Sequence, residues 1–485
     1  LERLRRLHYD RFRRLECIAH RQTTWLGSSL TPLVPIALFG WPVLVLVLFS
    51  VLPPRRAVIV AMLGAWMFLP MAGYNLPGLP DITKMSITCV TVFLGTMFFD
   101  AGRFSRLRWS WVDLALIVWV LVPLPSAVSS GYGAYDGFSG IQNQIVSWGM
   151  PYLIGRLYFS DLEGLRELAV GIFVGGLVYV PLVLFEARMS PQLHTWVYGF
   201  HQHSFGQARR GDGWRPTVFM QHGLAVAMFM GTAAVCGMWM WAAGRVRTVR
   251  VLGGAVPTWI LAIGLFAVAA ACRSSYALIL MLAGTGALFA SRWLNTRVIL
   301  AGMLAIAPLY VVARTVGGWD AQLLRDVSAM LMGQDREGSL GVRLDSEDVC
   351  WRFMQSSLLF GDGRMDRLML READGERFIP DALWLIALAK NGLCGLIALF
   401  ALLLAPTARY LWRFEAKALF TPDFAGATVL AMVLVLYAMD NLMNAMVNPI
   451  YLLGAGGLAG LAAAGKARVG WNGGTRPLRT VEVSS

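Results

Sequence analysis

Between Val251 and Ala290 the chain carries a single charge, Arg273, in forty otherwise uncharged residues. As one helix this stretch would extend about 60 Å, twice the ~30 Å hydrocarbon core of a bilayer. It therefore reads as two helices with Arg273 near their joint. Apolar runs of similar quality recur along the chain, and 57% of its 485 residues are hydrophobic, against about 45–50% in soluble domains. A transmembrane β-barrel would instead show short alternating segments. The pattern predicts an all-α polytopic membrane protein.

The net charge of +13 does not point to nucleic acid, because the basic residues sit in short loops between apolar runs, as the positive-inside rule requires. The six cysteines give no disulfide framework and read as packing residues. The long basic N-terminus, without a small-residue cleavage site, is not expected to be a cleavable signal peptide.

Charge and parity predict about 12 crossings, near 57–72, 85–99, 111–128, 141–158, 165–185, 216–242, 251–271, 274–290, 298–314, 381–405, 424–443 and 449–465. The loops at Arg103, Arg166, Arg245, Arg292, Arg409 and Lys466 then share one side, expected to be cytoplasmic. Residues 1–23 read as a cytoplasmic basic amphipathic helix on anionic lipid, with Leu4, Leu7, Phe12 and Leu15 near helical spacing. Residues 24–52 contain Pro32, Pro35, Gly40 and Pro42 and have basic flanks at both ends. They read as two short helices or a re-entrant hairpin broken near Gly40–Pro42, the alternative being one ordinary crossing; 12–14 helices result in total. The chain thus divides into the head 1–23, a bundle 24–314, a large outer loop 315–380, C-terminal crossings 381–465 and a cytoplasmic tail 466–485.

Two outer loops exceed connector length, 186–215 and 315–380. The second carries eight Arg and twelve Asp/Glu but no Lys, and a long charged loop among tight turns points to function. No duplicated halves are evident, which weighs against many transporters.

Candidate residues gather on the expected outer side. Arg273 either snorkels to headgroups or serves a site, the default reading for an ionisable residue at the membrane edge. Ser274 and Ser275 are candidate caps for the following helix. In "GDGWRPTVFMQHGLA", Pro216 suits a first helical position, which would set Arg215 at a helix N-terminus. Two such arginines could clamp phosphate oxygens. His222, two turns into that helix, reads as hydrogen-bonded core or a substrate contact. For His194, His201 and His203 a metal site would need a carboxylate or further His at suitable spacing, and nothing in the sequence fixes the distance of Glu186 or Asp212; with Arg209, Arg210, Trp196 and Tyr198 they read instead as a polar, aromatic rim. In the large loop a helix over 344–359 would carry Trp351 and Arg352, with Asp345, Glu347 and Asp348 in its first turn, "GDGR" ending it and Arg343 just ahead. Asp381, at the start of the next crossing, is either an N-cap carboxylate or a general base.

These pieces, over about 200–405, resemble the O-antigen ligase and polymerase superfamily, integral membrane glycosyltransferases of GT-C type. The resemblance rests on "WRPTVFMQHGLA", on "CRSSYA", on Arg343 followed by Trp351 and then Gly361-Asp362-Gly363, and on "PDALW" before "NGLCGL". One departure is clear: the His-Asn pair common ahead of the last of these helices is here Asp381–Ala382, which leans away from a lipid A–core ligase and towards a polymerase or exopolysaccharide-type member. The resemblance implies a bacterial inner-membrane enzyme with both termini cytoplasmic. It implies an undecaprenyl-diphosphate-linked glycan as donor, a glycan or lipid-linked acceptor, membrane lipid around it and a chain-length regulator as a further partner, with no cofactor or metal and no nucleic acid. Arg215 and Arg273 would hold the diphosphate and Asp381 would be the base. Arg343, Arg352, Trp351, His222 and Arg210 would contact substrate. The rival readings are a flippase for lipid-linked sugars, expected to carry charge through the midplane, and a non-catalytic assembly component.

Overall fold

The computed structural model describes residues 31–75, 80–203, 205–211, 213–251, 254–332, 334–363, 370–371, 377–378, 381–464 and 480–482. The basic head 1–23 and nearly all of the tail beyond 464 lie outside them.

The chain is helical wherever it is long and apolar. In order these helices are α1 (Leu33–Val51), α2 (Pro54–Phe68), α3 (Lys84–Phe99), α4 (Trp111–Ser129) and α5, which joins Ala134–Gln144 and Met150–Tyr158 through a π-turn. Then come α6 (Leu162–Met189), α7 (Gly223–Ala242), α8 (Thr258–Ala271), α9 (Ser275–Trp293) and α10 (Val298–Thr315). After α11 (Gln322–Met332) and α12 (Gln334–Met354) follow α13 (Leu383–Arg413), α14 (Ala425–Asp440) and α15 (Pro449–Ala463). Eight of the described helices are long and apolar enough to cross a bilayer, and α3, α8 and α15 are shorter apolar ones. The chain is a polytopic helical membrane protein.

α7 and α14 are buried around almost their whole circumference and form the centre of the bundle. α1 and α10 bury only one side, as lipid-facing helices do. α15 packs on α5 at backbone distance, because Gly155 faces the Leu453 carbonyl and Gly456 faces that of Tyr152, where any Cβ would collide; small residues permit this approach in membranes.

One end of the bundle is basic. Arg55 donates to the Tyr158 carbonyl and pairs with Asp161. Arg166 and Arg245 meet Glu163, and Arg245 also meets Asp423. Arg292 donates to Ala242, Arg297 to Leu411, and both Arg409 and Arg413 to Ala462. The inter-helix loops that charge counting assigned to one side therefore share one face.

Four sequence expectations are corrected. α1 runs unbroken through Pro42: a proline at that place costs one backbone bond without breaking the helix. Its start, Thr31, bonds to the Val197 and Tyr198 carbonyls at the opposite end from Arg55. Residues 33–51 thus pass from one face to the other, which is the alternative of one ordinary crossing, and neither a hairpin nor a pair of short helices forms. The helix expected from Pro216 begins at Gly223. The one expected from 251 begins at Thr258, after a hairpin of Thr248–Val251 with Gly254–Pro257 that Thr480–Glu482 extends. The loop helix expected over 344–359 is Gln334–Met354, so Asp345, Glu347 and Asp348 lie well inside it and not in its first turn.

Candidate functional site

Opposite the basic face, the ends of α6, α7, α8, α9 and α14 meet loop 190–222. Arg273 is the joint between α8 and α9, as the length argument requires, in a left-handed conformation at φ +53°. A non-glycine residue there costs about 1–2 kcal/mol, and such strain gathers where a backbone is held for function. Neither Ser274 nor Ser275 caps α9 through its side chain. The turn is closed by backbone bonds instead, from Cys272 N to Ala269 O and from Arg273 N to Ala270 O. The exposed Arg273 side chain crosses Gly213, where a Cβ would collide with the guanidinium, and its Nη1 donates to the Arg210 carbonyl at 2.9 Å. Arg209–Arg210 and Gly213–Trp214 form the small hairpin that offers this carbonyl.

Arg215 follows that hairpin and is only 4% exposed. Its Nη2 donates to the Arg273 carbonyl at 3.1 Å. The two arginines are thus hooked together through backbone carbonyl acceptors. The expected helix N-terminus at Arg215 is absent because Glu186, fully buried near the end of α6, intervenes. Its Oε2 accepts from the amides of Thr217 and Val218 at 2.8 and 2.7 Å, and its Oε1 from Leu193 at 2.9 Å. A carboxylate that captures these amides holds residues 216–219 out of the helix, with Val218 at φ +49°.

His222 is therefore not two turns into α7 but its N-cap, with Nδ1 accepting from Leu224 N at 3.1 Å. His203 stands edge-on to it, ring centroids 4.8 Å apart. Burial pushes His222 down to about 3, and the charges of His203, Arg215, Arg210 and Arg343 push the same way. His203 is lowered too, by burial and then by His201, with the Asp381 carboxylate opposing. A small cleft lined by His201, His203, Gln207, Arg215, Thr217 and His222 opens here. Loop 190–222 is anchored by His194, 1% exposed, whose Nε2 accepts from Met71 N at 3.1 Å while its Nδ1 meets the Phe200 carbonyl at 2.7 Å. It is a structural histidine. Among the described residues no group of three or more His, Cys, Asp or Glu is placed to hold a metal.

α12 carries Arg343 to the cluster. Arg343 is an electrostatic neighbour of His222, of Tyr276 in the first turn of α9, and of the buried Asp440 that ends α14. What fixes α12 is a buried ion pair that spacing did not reveal. Arg314 donates through Nε to Glu347 Oε2 at 2.7 Å and through Nη2 to Asp348 Oδ1 at 2.8 Å and the Leu344 carbonyl at 2.9 Å. Tyr310 adds a bond to Glu347 at 2.9 Å. Trp351 is partly buried against the core, while Arg352 is exposed and bonds the Asp348 carbonyl of its own helix. Nine residues at about 100° each place Arg352 half a turn away from Arg343, so the structure does not bring it to the cluster.

Asp381 is exposed and makes no N-cap bond: the cap of α13 is Ala382. It reaches the cluster electrostatically, through His203. Behind it, Leu383 N donates to the Asn444 carbonyl and Trp384 Nε1 to that of Leu442, which seats the start of α13 on the loop after α14. Further along, α13 breaks at Gly392, φ +62°. Segment 358–363 fills the break: Asp362 and Gly363 donate to Ala389 and Lys390, while Leu358 and Leu359 accept from Leu393 and Cys394. The two glycine motifs of the sequence, "GDG" and "NGLCG", thus meet each other directly.

Arg210, Arg215, Arg273 and Arg343, from loop, joint and α12, gather with His201, His203 and His222 at this end of a polytopic membrane protein, with the carboxylates of Asp381 and Asp440 beside them. The chain matches no protein-family model and no curated protein.

Proposed function

We propose that the protein is a membrane glycosyltransferase acting on a lipid-diphosphate-linked glycan at the extracytoplasmic face of a bacterial inner membrane, as an O-antigen or exopolysaccharide polymerase or ligase does. The observation that carries this reading is the hooked pair Arg215–Arg273 with Arg210 and Arg343 around one cleft at the membrane edge. Such a cluster suits a diphosphate at the headgroup level and not a neutral solute. The basic face then lies in the cytoplasm.

The chemistry follows from charge. An acceptor hydroxyl attacks the anomeric carbon from the face opposite the phosphate. The new C–O bond forms as the bond to the diphosphate oxygen breaks, and the electron pair leaves with the diphosphate. Negative charge growing on that leaving group is stabilised by guanidinium groups already fixed in place, more in the transition state than before it. The acceptor proton passes to Asp381. Inversion at the anomeric carbon results.

The test is polymer made in cells by Arg215→Ala, Arg273→Ala, Arg273→Lys and Asp381→Ala, each checked for membrane insertion. All four are expected to lose most activity, lysine at 273 included, because an ammonium lacks the planar fork. Arg273→Gly is expected to be equally inactive without loss of stability, since it relieves the left-handed strain. Normal polymer from the alanine variants would sink the assignment.

A further inference from the structure

The cleft beside Arg215 holds two buried polar atoms that have no hydrogen-bond partner among the described residues. One is Thr217 Oγ1, on a residue only 3% exposed. The other is His201 Nε2, on a ring whose Nδ1 is taken up by the backbone of His203. Both residues line the cleft. A buried polar atom left unpaired is costly, so two at one cleft point to a ligand atom that completes them. The space is about 10 Å³, enough for a single water-sized group such as a hydroxyl and too little for a phosphate.

Beside the cleft lies a row of rings. Phe205 stands edge-on to His201 with ring centroids 5.4 Å apart, and Trp214 lies tilted beside Phe205 at 5.1 Å. Phe205 is 41% exposed and Trp214 half-buried. Trp214 falls between Gly213, which the Arg273 guanidinium crosses, and Arg215. The row therefore joins the cleft to the two hooked arginines. A single exposed aromatic side chain is ordinary; this one continues a stack that begins on a cleft-lining ring. The aromatic residues expected as rim are engaged elsewhere: Trp196 stacks on Phe185, and the Tyr198 hydroxyl donates to the Phe68 carbonyl.

We propose that the cleft and this row form the subsite for the sugar attached to the diphosphate, an inference that rests on the transferase reading above. One hydroxyl of that sugar enters the cleft, donating to His201 Nε2 and accepting from Thr217 Oγ1. The C–H face of the sugar ring lies on Phe205, whose π-face is apolar and carries partial negative charge. An acyl chain would leave both cleft atoms unpaired, and a phosphate does not fit. A sugar carries hydroxyls at its edge and C–H bonds on its face, so one ligand satisfies both surfaces. The adjoining diphosphate then falls to Arg215 and Arg273. Selectivity follows from the same geometry: a sugar without a hydroxyl at the carbon facing the cleft leaves both atoms unpaired and is rejected.

The test is binding of two probes to the full chain in nanodiscs: bare undecaprenyl diphosphate, and the glycan-bearing form extracted from cells that lack the protein. The parent is expected to bind the glycan-bearing lipid about tenfold more tightly, the effect of one or two neutral hydrogen bonds. Thr217→Val keeps the amide bond to Glu186 and removes only the hydroxyl. It is expected to lower that ratio several-fold, and Thr217→Ser to keep it. Phe205→Leu is expected to lower the ratio and Phe205→Tyr to keep it, because stacking needs a ring whereas membrane anchoring needs only apolar surface. A ratio near one in the parent, with the bare lipid bound, overturns the inference and leaves the diphosphate reading standing. An unchanged ratio in Thr217→Val overturns it too, the cleft then holding an ordered water only, as does an unchanged ratio in Phe205→Leu. Bare-lipid affinity that Arg215→Ala does not lower overturns the diphosphate reading instead, whatever the ratio.

Discussion

Arg343 reaches the cluster only because α12 is pinned by Arg314. Replacing Arg314 by methionine keeps the length and apolar volume of the side chain but leaves Glu347, 2% exposed, with Tyr310 as its remaining partner. Bonds to Glu347, Asp348, Leu344 and Trp319 are lost together. Removing one partner of a buried pair costs about 3–5 kcal/mol. At about 1.4 kcal/mol per decade, local opening of α12 should become roughly 100- to 4,000-fold more frequent. Hydrogen exchange of the amides over 340–354, measured in nanodiscs, reads that opening directly, with α7 amides as internal reference. Glu347→Leu alone should also loosen α12, by less, because Asp348 still neutralises Arg314. Arg314→Met with Glu347→Leu should recover most of the protection, because no uncompensated charge stays buried. The reasoning is refuted if Arg314→Met leaves α12 exchange within threefold of the parent, or if the double variant is as open as the sum of the singles.

Acid should loosen the loop that carries the cluster. His222 and His194 are lowered to about 3 and about 4, against roughly 6.5 unfolded, so the unfolded loop binds more protons. The stability these two neutral histidines contribute is complete above about pH 6.5 and is lost as pH falls towards 4. Hydrogen exchange over 193–222 should rise in that window, and His222→Gln should flatten the rise; pH-independent exchange would count against it. Gly361→Val should expel segment 358–363 from the α13 break, because its Cβ would lie 2.6 Å from both Ala389 O and Gly392 N, at a φ of +74° that valine resists. Limited proteolysis should then cut within 355–380 at least tenfold faster, and unchanged cleavage would show that the docking does not hold the loop.

The sequence was most legible where one local property suffices. Apolar length placed α2, α3, α6, α9, α10, α13, α14 and α15 near their true positions, and divided 251–290 at Arg273. Loop charge identified the basic face. Both properties are carried by neighbours in the chain, so a window of twenty residues reveals them. The proline-rich stretch 33–51 misled because proline weakens a helix without forbidding it, and packing against α2 and α3 holds α1 straight. The start of α7 misled because Glu186, thirty-one residues earlier than Thr217, takes the amides that a helix from Pro216 would have buried in its first turn.

By itself the sequence determined that this chain lives in a bilayer, which face is basic, and that Arg215, Arg273 and Asp381 fall on the other. The tertiary structure alone decided how those residues are joined. Arg215 meets Arg273 through a backbone carbonyl fifty-eight residues away. Arg343 arrives through an ion pair between α10 and α12, and Arg352 on the same helix turns elsewhere. His203, first read as rim, becomes the partner of His222 and the link to Asp381. Hydrophobicity is a property of each residue and survives in any window, whereas a hydrogen bond between distant side chains exists only after packing has fixed both ends.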